Sequence, residues 1–146
     1  MAIIKNLSML KTIKIEGTDI ALVCDFSDVR FKSRLLHLMK RYQGIEQELL
    51  DKFKPLESIE DELDKTLAAL DLKCEILEDF KNDINNVFQD NIVDKMFGEK
   101  CLPDIERYYP LFEQLTPIIK EALAEEDGII ADINKKYGLD RTPVSN

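Results

Sequence analysis

Apolar and polar residues alternate with a period of two in one region near the start of the chain. Ile13 and Ile15 alternate with Lys14 and Glu16, and Ile20 to Cys24 makes a second β-favouring run. Glu16-Gly17-Thr18-Asp19 between them has turn chemistry, so residues 12–25 are expected to form a β-hairpin. Two strands alone are marginal in water. The hairpin must therefore pack on helices or pair with another chain.

From Asp28 onward the period changes to three and four. Phe31, Leu35, Leu38, Met39, Tyr42, Ile45 and Leu49 share one helical face, and Ser27 or Asp28 can cap it. The helix should stop near Lys54, because Pro55 disfavours a helical residue before it. Ser58-Ile59-Glu60-Asp61 starts a second, acidic helix. Its stripe runs through Ile59, Leu63, Leu67, Leu70, Cys74, Leu77, Phe80, Ile84, Val87 and Phe88. A rod of that length either pairs antiparallel with the first helix or supports an oligomer.

A short apolar set at Ile92, Val93, Met96 and Phe97 follows, ended by Gly98, which can take a positive φ. Leu102 to Lys136 is a further helical section, with Pro103 and Pro110 suited to first turns and Pro117 marking a kink or a fresh start. Gly128 interrupts its stripe weakly, and Gly138 suits a C-cap. The expected fold is α+β, mostly α: an N-terminal β-hairpin (12–25) followed by a bundle of three to five helices (28–138), one of them long and acidic. Residues 1–138 are expected to form a single domain, and the polar segment 139–146 a flexible tail.

Charge sharpens this picture. Residues 1–45 hold eight Lys/Arg against four Asp/Glu, whereas residues 46–146 hold twelve against twenty-five. Such acidity favours solubility and works against non-specific binding to phosphate backbones. The cluster Arg30, Lys32, Arg34, Lys40 and Arg41 is the one candidate nucleic-acid face, and it reads better as a solvated helix face, so no nucleic-acid partner is expected. No apolar run approaches the roughly 20 residues of a membrane span, and lysines interrupt the N-terminal apolar run. An intracellular location is therefore the expectation, with no membrane partner. Cys24, Cys74 and Cys101 are too far apart for a zinc pattern and odd in number, so buried, reduced thiols are expected.

Candidate chemistry is sparse. His37 is the lone histidine, flanked on its helix by Arg34 and Arg41, and belongs at the surface. One histidine cannot supply a di-iron bundle. Glu125-Glu126-Asp127-Gly128 lacks the alternating oxygen ligands of a calcium loop, and phosphate-binding glycine loops and a nucleophile elbow are absent from the sequence. No catalytic residue, metal or cofactor is expected, and the chain reads as a non-enzyme. Its candidate partner-binding patch joins one methionine to four aromatics: Met96, Phe97, Tyr108, Tyr109 and Phe112. Phe97, Tyr109 and Phe112 read better as closing the bundle core, with Tyr108 expected to stay exposed.

The segment FKNDINNVFQDNIVDKMFGEKCLPDIERYYPLFEQLTPII carries a family pattern. With the hairpin leading into CDFSDVRFKSRLL and the acidic central helix, it resembles the tail assembly chaperones of long-tailed phages and prophages of Gram-positive bacteria. The matching residues are Asp83, Ile84, Phe88, Ile92, Lys95, Met96, Phe97, Gly98, Tyr109, Phe112 and Leu115, within a resemblance covering roughly residues 12–122. It implies a non-enzymatic chaperone, cytoplasmic in the bacterial host cell, that binds the tape measure protein and keeps it soluble until tail tube protein polymerises around it. The tail tube protein is then a further partner. The alternative is a structural or scaffolding phage protein that self-assembles through its helices into a homo-oligomer.

Overall fold

The computed structural model describes residues 10–15 and 17–137. The expected cap at Gly138 and tail 139–146 lie outside that range. The protein is α+β, mostly α: an antiparallel two-stranded hairpin precedes four helices. It divides into two compact units, Met1–Leu111 and Phe112–Asn146.

In the first unit, β1 (Leu10–Lys14) pairs with β2 (Ala21–Asp25) in a register that sets Ile13 opposite Leu22 and Lys11 opposite Cys24. The period-two pattern places Ile13, Ile15, Leu22 and Cys24 on one buried face, while Val23 points outward. Gly17 takes φ +80° in the turn, and Thr18 closes it by donating its hydroxyl to the Ile15 carbonyl at 2.9 Å. β2 rests on both α1 and α2, and Phe26 continues the buried face to an edge-on contact with Phe31 at 5.7 Å.

Helix α1 (Val29–Phe53) begins where Asp28 accepts the Arg30 backbone N–H at 2.9 Å, one of the two expected caps. It stops one residue before Lys54, and Pro55 falls in the first turn of a 3-10 segment, Lys54–Ser58. Helix α2 (Glu62–Phe88) begins later than its apolar stripe suggested. Asp61 accepts the Asp64 N–H at 3.0 Å and leaves Ile59 outside the helix. The two helices run antiparallel, shown by ring contacts of Phe31 with Phe88 and Tyr42 with Phe80 and by the Arg41–Asp83 ion pair at 3.1 Å. Phe31, Leu35, Leu38, Ile45 and Leu49 bury one face of α1, and Ile76, Leu77, Phe80, Ile84 and Val87 bury one face of α2.

Gln89, at φ +53°, ends α2 in the left-handed conformation that glycine usually supplies. Asn85 then accepts the Val93 N–H at 3.0 Å, tying α3 (Ile92–Phe97) back to α2, and Lys81 adds an ion pair to Asp94 at 2.8 Å. Gly98 follows at φ +100°, as the Phe-Gly break requires. Pro103, expected in a helix first turn, instead lies in an irregular stretch before a second 3-10 turn, Ile105–Tyr108. Asp104 caps that turn through the Ile105 N–H.

Helix α4 (Tyr109–Tyr137) carries Pro110 in its first turn and passes through Pro117 without a fresh start. The Thr116 hydroxyl donates to the Phe112 carbonyl at 2.6 Å just before the proline. Within the second unit Phe112, Leu115, Ile119 and Ala122 are buried, whereas Leu123, Ile129, Ile130 and Ile133 are exposed. Gly128 lies within the helix.

Candidate partner-binding surface

Three of the aromatic residues singled out from the sequence, Phe97, Tyr108 and Tyr109, belong to a ladder inside the first unit. Phe97 meets Tyr108 edge-on at 5.7 Å, and Tyr108 meets Phe80 edge-on at 5.3 Å. Phe80 stacks with Tyr42 at 6.4 Å, and Tyr42 meets Tyr109 edge-on at 6.3 Å. Such spacings and angles suit the ring quadrupole, so the ladder ties α1, α2 and α3 to the second 3-10 turn by directional as well as hydrophobic contacts.

The exposure expected within this set is reversed. Tyr108, expected at the surface, is 0% exposed, and its neighbour Tyr109 is 36% exposed. The cause is local. The second 3-10 turn directs Tyr108 between Phe80 and Phe97, and consecutive residues of a helical turn diverge by about 100–120°. No described residue hydrogen-bonds the Tyr108 hydroxyl. Burial raises its pKa, helped by the nearby Cys101, Glu78 and Asp94. Tyr109 donates its hydroxyl to Glu46, and that bond first, then partial burial, pushes its pKa up to about 12. Met96 and Phe97 are half-buried, with the Arg107 guanidinium over the Phe97 ring at 5.7 Å. Phe112 is buried in the second unit. Of the five patch residues, Tyr109 alone is exposed.

The structure opens a different surface, on the stripe of α2 expected either to pair with the first helix or to support an oligomer. Of the three cysteines expected to be buried only Cys24 is, because Cys101 falls in the irregular segment before the second 3-10 turn and Cys74 on an open stripe of α2. Leu63 is 67% exposed, Leu67 49% and Leu70 51%, in line with the exposed Cys74. At about 100° per residue, these positions form a row roughly 100° around α2 from Phe80, Ile84 and Val87. Helix α1 and the Tyr108 ring pack on the latter face and leave the leucine row aside. Farther along α2 the row is closed over: Leu77 is buried, and Lys81, on the same line, reaches to Asp94 of α3. At the junction lies a groove of about 140 Å³ lined by Leu70, Lys73, Cys74, Leu77, Leu102 and Asp104. Lys73 and Asp104 pair across it at 2.7 Å, which lowers the Asp104 pKa. The sequence signal was available in a mismatch of lengths. The stripe of α2 spans Ile59 to Phe88, whereas that of α1 ends at Leu49 and cannot cover it all.

The basic cluster on α1 is partly neutralised. Arg41 pairs with Asp83 at 3.1 Å and with Glu48 at 3.7 Å. Arg34 and Arg41 line a cavity of about 270 Å³ with Asp83, Asn86 and the exposed His37. Among the described residues no group of three His, Cys, Asp or Glu side chains could hold a metal ion, and no helix is long and apolar enough to cross a membrane. Compared with family models, curated proteins and solved structures, the chain matches none of them.

Proposed function

We propose that this protein is a cytoplasmic, non-enzymatic tail assembly chaperone of a long-tailed phage or prophage, which binds the tape measure protein and holds it soluble during tail assembly. One observation carries the reading: the open leucine row of α2, Leu63, Leu67 and Leu70, each about half exposed or more. Apolar side chains at three- and four-residue steps match the stripe of another helix, the chemistry of helix-in-groove recognition. Each of these leucines stands to gain about 1 kcal/mol when a partner removes its remaining surface from water. The resemblance of residues 12–122 supplies the biological class, and the net charge of −9 supplies repulsion between loaded complexes.

Co-expression with the long helical protein encoded immediately downstream tests this reading. Recovery of that protein in a soluble complex only when this chain is present supports it. An insoluble partner beside a free, self-associating chain overturns it in favour of a scaffold built through its own helices.

A further inference from the structure

Along the leucine row of α2 runs a second row. Asp64, Asp71 and Glu78 recur every seven residues, all exposed, on the side of the leucines away from the core. On the opposite flank the nearest cation, Lys73, is already held by Asp104 at 2.7 Å. The open apolar face is thus edged by carboxylates on one side and by a neutralised ion pair on the other. We infer that this face, Leu63, Leu67, Leu70 and Cys74 edged by Asp64, Asp71 and Glu78, docks an amphipathic helix whose apolar stripe is flanked by lysine or arginine. The inference rests on the chaperone reading for the kind of partner, and adds to it which surface binds and what charge the partner carries.

Charge complementarity selects this occupant. A second copy of α2 lying antiparallel would set one carboxylate row against the other, which repels. Lying parallel, it would need Lys73 for its attractive contacts, and Lys73 would have to leave Asp104 first. A helix with basic flanks meets neither obstacle. Electrostatic matching of this kind contributes mainly to specificity and to the rate of encounter, while the leucines supply the contact area. The closed half of α2 sets where the helix stops. The open row ends at the groove between Cys74 and Leu102, where Lys81 and Asp94 seal the face.

The test uses the full chain and two synthetic helical peptides with leucines at three- and four-residue steps, one with lysine and one with glutamate at the flanking positions. Fluorescence anisotropy should show the lysine peptide binding about tenfold or more tightly than the glutamate peptide, with affinity falling as salt is raised. The pair Leu67→Asp and Leu70→Asp should lower affinity for the lysine peptide at least about tenfold. Those changes add negative charge, so the loss would come from the apolar contact. The triple change Asp64→Lys, Asp71→Lys and Glu78→Lys should invert the preference toward the glutamate peptide. In a Cys101→Ser background, which retains the native leucine row, the lysine peptide should slow maleimide labelling of Cys74.

Equal binding of both peptides, or unchanged binding in the leucine variant with Cys74 still fully reactive, overturns the inference. So does an oligomer of the free chain that Leu67→Asp dissolves, since the occupant is then a second copy. The two readings fail separately. If the downstream protein is solubilised equally well by the leucine variant, the docking surface is wrong and the chaperone role stands. If the lysine peptide binds the row but the downstream protein stays insoluble, the surface stands and the chaperone role falls.

Discussion

Changing Tyr108 to phenylalanine should raise stability. Tyr108 is fully buried, held edge-on between Phe80 at 5.3 Å and Phe97 at 5.7 Å, and no described residue pairs with its hydroxyl. Phenylalanine keeps both ring contacts and removes only the polar atom. A buried hydroxyl without a partner costs about 1–3 kcal/mol, so Tyr108→Phe should gain about 1 kcal/mol after allowance for relaxation. Tyr108→Ala removes the ring as well and should cost about 3–5 kcal/mol, because the ladder cannot collapse onto the space. For a chain of this length 1 kcal/mol moves the melting temperature by about 3–4 °C. The phenylalanine variant should therefore melt a few degrees higher, and the alanine variant about 10–15 °C lower, followed by circular dichroism at 222 nm and checked by urea titration. If Tyr108→Phe melts several degrees lower, the hydroxyl has a partner and the argument from its isolation fails. If Tyr108→Ala costs less than about 1 kcal/mol, the ring is not part of the core.

Two glycines should respond in opposite directions to the same change. Gly98→Ala should cost about 1–3 kcal/mol in a urea titration, because φ +100° with ψ 146° is a backbone region that disfavours a Cβ, although no atom stands within 4 Å of the added carbon. Gly128→Ala should gain about 0.5–1 kcal/mol, since it lies within α4 with open space at its Cβ position. Equal effects at both sites would contradict the backbone argument. Ellman's reagent near pH 8 should titrate two thiols in the native protein, Cys74 and Cys101, and a third, Cys24, only on unfolding. Burial pushes the Cys24 thiol up to about 11 from an ordinary value of 9.0, and the Glu46 bond pushes Tyr109 up to about 12 from 10.0. The native state thus keeps protons that the unfolded chain releases. The stability these groups contribute is full below about pH 9 and is lost as pH rises through about 12. Urea midpoints that stay flat across that range would refute it.

Much of this fold is legible in local chemistry. The period-two run around Ile13 and Ile15, the Asp28 cap, the stop before Pro55 and the break at Gly98 each act within a few residues, where sterics and side-chain-to-backbone bonds decide the outcome. The acidic sign of the second half is likewise a property of composition. What the sequence left open is which neighbour covers each apolar position. Tyr108 and Tyr109 are equivalent in a linear pattern, and only the course of the second 3-10 turn puts the first between Phe80 and Phe97 and the second beside Glu46. Leu63, Leu67 and Leu70 have the same spacing as the buried Leu77 and Ile84 farther along α2. Periodicity reports that a residue lies on an apolar arc of a helix. Burial depends on another element being long enough, and placed at the right angle, to cover that arc. On α2 the first helix and the Tyr108 ring cover the Phe80 face, α3 and the Asp104 segment close the row's distal half, and no element of the first unit closes the part that the leucines occupy.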